Sequence, residues 1–126
     1  TVVVNGSGTV LVADDEASVR GFAGRLLRRM GFDVITASDG REAVELFQRE
    51  APNIRFVLLD MTMPHLNGGE VLRMIRKIRP EIRVILSSGF SEQEATHGLG
   101  DDGISGFLQK PYRPAQFTET VARILQ

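Results

Sequence analysis

The stretch Arg55-Phe56-Val57-Leu58-Leu59-Asp60, near the middle of the chain, sets four apolar residues in a row and then a carboxylate. Continuous rather than alternating hydrophobicity over so short a run suits a strand covered on both faces. Working outward, similar runs recur at Thr9–Ala13, Asp33–Ala37, Ile82–Leu86 and Ile104–Leu108. Between them lie amphipathic patterns at helical spacing. Val19, Phe22, Leu26 and Met30 share one face, with Arg20, Arg25, Arg28 and Arg29 on the other. Ala43 and Phe47 mark a second helix, Val71, Ile75 and Ile78 a third, and Phe117, Val121 and Ile124 the last. Five strand–helix units in alternation imply an α/β fold with a parallel sheet and helices on both faces.

The punctuation agrees with these boundaries. Gly31 stops the first helix, Asp39 can cap the second, Pro52 and Pro80 close the second and third, and Pro114 fits the first turn of the last. Between Gly89 and Gly106 only Ser91–His97 has helix-forming content, so a short or frayed fourth helix and a Gly-rich loop Gly98–Gly103 are expected. Residues 1–8 read as a linker or short extension, in which Thr1–Val4 could form a small extra strand, and 9–126 as the domain.

Composition narrows the function classes. The 126 residues make one domain of ordinary size, with 42% hydrophobic and 25% charged residues, which argues against disorder. Without cysteine there are no disulfides and no thiolate metal sites, and a reducing compartment suits the chain. A net charge of −1 gives no electrostatic footprint for nucleic acid or an anionic membrane. No apolar run approaches the ~20 residues of a membrane span, and the expected setting is cytoplasmic.

In parallel sheets ligands bind at the C-terminal ends of the strands. The first strand runs into Asp14-Asp15-Glu16, the third ends in Asp60, the fourth in Ser87-Ser88 and the fifth in Lys110-Pro111. Each residue alone has an ordinary explanation: a carboxylate caps a helix, a serine makes a turn, a lysine is solvated. Together on one sheet edge, Asp14, Asp15 and Asp60 would repel by roughly several kcal/mol unless a cation offsets them. Oxygen ligands without His or Cys point to a hard ion, with Mg²⁺ the natural choice. Lys110 adds a point charge for an oxyanion, and Ser87 a neutral donor.

These motifs resemble the receiver domains of two-component response regulators across residues ~8–126. The resemblance rests on Asp14-Asp15, on Asp60-Met61-Thr62-Met63-Pro64 with Gly68, on Ser87 and on Lys110-Pro111, in that order on those elements. It implies a doubly wound five-stranded parallel sheet of flavodoxin-like order 2-1-3-4-5. It also implies that Asp60 is the phosphoacceptor and that Asp15, Asp60 and the Thr62 backbone carbonyl ligate Mg²⁺, with Asp14 acting through water. Lys110 and Ser87 would contact the phosphoryl oxygens, and Ser87 with Phe107 would form a conformational switch. The implied partner is a histidine kinase or histidine phosphotransfer domain, which the arginine-rich side of the first helix could receive. The isolated domain would be no enzyme beyond its own phosphorylation and dephosphorylation.

The local texture of Leu86–Phe90 and Phe107–Tyr112 is similar to receivers at the C-terminal end of hybrid sensor histidine kinases. A pseudo-receiver interaction module is the alternative, although Asp15, Asp60 and Lys110 are all present. A Mg²⁺-dependent phosphohydrolase commonly places an Asp-x-Asp pair on one strand, whereas Asp14 and Asp15 are adjacent. A nucleotide-binding loop is disfavoured because Gly6-Ser7-Gly8 precedes the first strand.

Overall fold

The structure is a computed structural model that describes residues 2–97, 99 and 103–126. Five parallel strands, β1 (Thr9–Ala13), β2 (Asp33–Ala37), β3 (Ile54–Asp60), β4 (Arg83–Ser88) and β5 (Gly106–Gln109), form one sheet in the order β2-β1-β3-β4-β5. The helices are α1 (Ala17–Arg29), α2 (Gly40–Glu50), α3 (Gly68–Ile78), α4 (Glu92–Thr96) and α5 (Pro114–Ile124), with a 3₁₀ turn at Ala51–Asn53. This is the flavodoxin-like doubly wound arrangement expected from the motifs.

Period-two side-chain alternation explains why the strands are apolar throughout. Val10, Val12, Phe56, Leu58 and Ile85 face a core closed by Ala23 and Leu27 of α1 and Phe117 and Val121 of α5. Their neighbours Leu11, Val57, Leu59, Val84 and Leu86 face a second core closed by Phe47 of α2 and Leu72 and Ile75 of α3. Each central strand therefore feeds both layers. The edge strand β2 is only partly covered. From β1 the chain turns one way to β2 and then crosses to β3 on the other side. That reversal opens a crevice beyond the ends of β1 and β3, where Asp14 and Asp60 stand.

The helix ends are built as the punctuation suggests. Gly31 takes φ +106°, a left-handed stop after α1. The Asp39 side chain accepts the Glu42 N–H at 2.8 Å, and Asn67 with Glu70 forms a reciprocal cap on α3. Pro52 follows α2 as expected and lies inside the 3₁₀ turn. The fourth helix is short, five residues with a Ser91–Glu94 cap, and the expected Gly-rich loop falls at 98 and 100–102 outside the described residues. Ile78 departs from the expected buried stripe: it ends α3 and is exposed.

No strand forms in residues 2–8, yet they are held against the domain. The Gly6 N–H donates to the Met30 carbonyl at 2.6 Å, and the Asp33 N–H to that of Gly8 at 2.9 Å. Arg55 Nη1 donates to the Ser7 carbonyl at 3.0 Å, and Val4 packs on the α1–α5 core.

The turn from β3 into α3 is a close backbone approach beside the crevice. A Cβ on Gly68 would lie 2.7 Å from Met61 Cα and 2.8 Å from the Asp60 carbonyl, both backbone atoms that cannot swing aside. Gly68→Ala is therefore expected to lower unfolding free energy in urea by about 1–3 kcal/mol. Gly89→Ala, where a Cβ meets nothing within 4 Å, should stay within about 0.5 kcal/mol of the parent.

Candidate functional site

Backbone pairing delivers the acidic residues. The Asp14 N–H donates to the Ala37 carbonyl at 3.1 Å, which extends the β1–β2 ladder by one residue. Asp60 is the last residue of β3 and lies in register with Ser87 of β4. Both carboxylates are buried, Asp14 at 2% exposure and Asp60 at 3%, whereas Asp15 is exposed. Asp14 Oδ1 accepts the Glu16 N–H at 2.9 Å, and its carbonyl accepts Arg20 Nη1 at 2.6 Å. One oxygen from each of Asp14, Asp15 and Asp60 falls within 4.8 Å of the others, and among the described residues this is the only such group of potential metal ligands.

Lys110 enters from the opposite side. Its N–H donates to the Ser88 carbonyl at 2.7 Å, just past the end of β5, and a cis peptide joins it to Pro111. The ammonium lies 2.8 Å from Asp14 Oδ2, 3.3 Å from Glu16 Oε1 and 3.4 Å from Asp60 Oδ1. Burial on its own would lower the lysine pKa. The hydrogen bond to Asp14 and the charges of Asp60 and Asp14 outweigh it and hold the ammonium protonated well above the usual lysine range. Asp60 moves the other way. Burial, and then the neighbouring charge of Asp14, push its pKa from 3.8 to about 6, despite the opposing pull of Lys110.

Lys110 contacts three carboxylates, and with Asp15 beside Asp14 and Asp60 the four exceed its single positive charge by three. Burial is the first cause of the raised Asp60 pKa, and the uncompensated charge of Asp14 adds to it. A hard divalent cation fits the site, because every cluster donor is a carboxylate oxygen, which such ions prefer.

A cleft of 640 Å³ leads from the acid cluster along α1, between Val19 and Phe22 on one side and Pro111 and Tyr112 on the other. The buried Tyr112 ring lies 6.0 Å from that of Phe22 and 5.5 Å from that of Phe117. Its hydroxyl has no hydrogen-bond partner among the described residues. Burial and the nearby Asp14 charge raise its pKa to about 12.

Asp14, Asp15, Asp60 and Lys110 thus come together. Ser87 is buried beside Asp60, its carbonyl accepting the Met61 N–H at 2.9 Å. Thr62 is on the exposed rim, with its N–H 3.5 Å from Asp60 Oδ1. Phe107 is half-buried, pairs in register with Leu86 and packs on the α2–α3 core. Three contributors were not anticipated: Glu16 on Lys110, Arg20 on the Asp14 carbonyl, and Tyr112 in the cleft. The signal available for Glu16 was its place next to the aspartate pair, just before a helical pattern where glutamate is a poor cap.

Residues 10–122 match the sequence profile of the response regulator receiver domain. This chain belongs to the response regulator receiver domain family. It is 36% identical over 123 residues to the sensor kinase CckA of Brucella abortus, covering 98% of this chain but 13% of that one. It is 32% identical over 116 residues to the chemotaxis protein CheY of Thermotoga maritima, covering 91% of this chain and 95% of that one. Among solved structures, CheY in a CheX–CheY–BeF₃–Mg²⁺ complex from Borrelia burgdorferi superposes with a TM-score of 0.88 at 30% identity, over 94% of this chain and 90% of that one. The receiver is thus a two-component signalling domain, similar both to a stand-alone chemotaxis protein and to a small part of a much longer kinase. Among the described residues no helix is long and apolar enough to cross a membrane.

The shifted acid in this receiver gives a stability prediction. Folded Asp60, with its pKa near 6, binds a proton more tightly than the unfolded chain does at 3.8. Its contribution therefore favours the fold at low pH and is lost as pH rises through about 6. Asp60→Asn should stabilise the metal-free receiver at pH 7.5 by up to about 3 kcal/mol, with the gain shrinking towards pH 5. Urea melts of the two proteins across that range check it.

Proposed function

We propose that Asp60 accepts a phosphoryl group from a phosphohistidine on a histidine kinase or histidine phosphotransfer domain. The observation that carries this reading is the Lys110 ammonium 3.4 Å from Asp60 Oδ1, within a carboxylate cluster suited to a divalent ion. An Asp60 oxygen attacks phosphorus in line. The bond from phosphorus to the imidazole nitrogen breaks, its electron pair stays on that nitrogen, and an acyl phosphate forms. Lys110 pairs with one phosphoryl oxygen and the Ser87 hydroxyl donates to another. Asp15, Asp60 and the Thr62 carbonyl would hold Mg²⁺, with Asp14 acting through water, and the ion would neutralise charge on the transferred group. Water attack on the same phosphorus later breaks its bond to the Asp60 oxygen, releases inorganic phosphate and restores the carboxylate, so the domain turns itself off and has no other catalytic activity.

Exposed Arg25, Arg28 and Arg29 of α1 offer the partner a basic face. Arg20, expected in the same role, is engaged with the Asp14 carbonyl instead. The near-neutral charge suits a cytoplasmic domain that acts through proteins rather than nucleic acid or membrane, and the likeness to CckA suits a place in a hybrid kinase.

Incubation with acetyl phosphate and Mg²⁺ should add one phosphoryl group by intact mass. The gain should be absent from Asp60→Asn, and from the parent without Mg²⁺ or carrying Asp15→Ala. An unmodified parent at saturating donor would favour the interaction module, and labelling that survives Asp15→Ala would remove the metal assignment. For the switch, Ser87 moves towards the phosphoryl group and the Phe107 ring turns into the space it leaves. Crystal structures with and without beryllofluoride should show two Phe107 rotamers; one shared rotamer would reduce Phe107 to core.

A further inference from the structure

The acid cluster contains one contact that neither holding a metal nor accepting a phosphoryl group requires. Glu16 is the N-cap residue of α1, yet its side chain makes no cap bond. It reaches instead across the mouth of the cleft to Lys110 Nζ, at 3.3 Å. A glutamate is a poor N-cap, so the position gives up helix-start stability and the carboxylate goes to the lysine. The Glu16 N–H is itself bound to Asp14 Oδ1 at 2.9 Å, which fixes the backbone from which the side chain reaches. The same aspartate holds the lysine through Oδ2 at 2.8 Å. The ammonium thus sits closest to Asp14, at 2.8 Å, and is shared about equally between Glu16 at 3.3 Å and Asp60 at 3.4 Å.

We propose that Glu16 is a positioning residue that holds Lys110 in a resting place, so that phosphorylation of Asp60 requires the ammonium to leave it. This rests on the phosphoacceptor reading above. A phosphoryl oxygen on Asp60 must draw the ammonium outward from Asp14, and each further carboxylate bound to that ammonium opposes the movement. Glu16 is 59% exposed at its side chain, so its hold is screened by water and is a modest one. Its effect is on the rate at which the site loads, and it leaves the donor set for the metal untouched.

Two variants separate the pairing from the mere presence of charge. Glu16→Gln removes the charge; Glu16→Asp keeps it but is one methylene too short to reach Lys110 from the same backbone position. Both should label with acetyl phosphate and Mg²⁺ faster than the parent, by about 2- to 5-fold, the scale of an exposed ion pair. Acceleration in Glu16→Gln alone would assign the effect to the field of the charge, and unchanged or slower labelling in both would also overturn the proposal. A second readout uses neither donor nor metal. In ¹⁵N NMR of the metal-free protein at low temperature, the Lys110 ammonium signal should be visible in the parent and exchange faster with water in both variants. An ammonium signal identical in all three proteins would sink the proposal. A parent that does not label at all would count against the phosphoacceptor reading, while the ammonium signal still decides whether Glu16 holds Lys110.

Discussion

One ammonium among carboxylates is the constraint on which the working end of this receiver depends. Lys110 lies within 3.4 Å of oxygens from Asp14, Glu16 and Asp60, which come from the ends of β1, α1 and β3. Without it the two buried aspartates would face each other at low dielectric with nothing between them, an arrangement that proteins avoid by protonating one partner. With it the repulsion is only partly offset, and burial together with the Asp14 charge still raises the pKa of Asp60. The fold therefore stores an electrostatic deficit at one place. A deficit of that sign makes the site receptive to a divalent cation, and the lysine is well placed to serve an incoming anionic group.

The sheet makes this possible by being rigid where the charges are. Asp14 follows β1 and Asp60 ends β3, and Val10, Leu11 and Val12 on one and Phe56, Val57 and Leu59 on the other are buried with no side-chain freedom to spare. Helices cover both faces, so polar groups of the strands are carried to the ends of the sheet, here the C-terminal edge. Lys110 is fixed in the same manner from the far side, by its N–H on the Ser88 carbonyl. The apolar layers thus decide the geometry of the polar ones, and the energy to hold like charges together comes from burial elsewhere in the domain.

Much of this was legible from residue order. β1 and β2 fall where the apolar runs end and begin, since those runs are bounded by charged or glycine-containing stretches. β4 runs on through Ser87 and Ser88, beyond the last apolar residue, because neighbouring strands satisfy their backbone; a hydrophobic pattern is blind to buried polar residues that pair in a ladder. The aspartates and the lysine could be read because each directly follows a run that must be a strand. Glu16 with Lys110 could not, because 94 residues separate the pair and no local periodicity links them. Residues 2–8 looked like a tether for similar reasons. Their attachment depends on Arg55 and on the turn at Met30–Gly31, which are close only after folding.

Tyr112 is the only tyrosine in a chain without tryptophan. The long-wavelength emission of the whole domain therefore comes from one ring, packed between Phe22 and Phe117 at the end of the cleft that opens on Asp60. A phenol is quenched or brightened by the charges and proton acceptors within its reach. Here these include the carboxylate of Asp14 and the ammonium of Lys110, both close enough to act on its ionisation. The receiver carries a built-in optical gauge of its own charge cluster, with no second chromophore to dilute the reading.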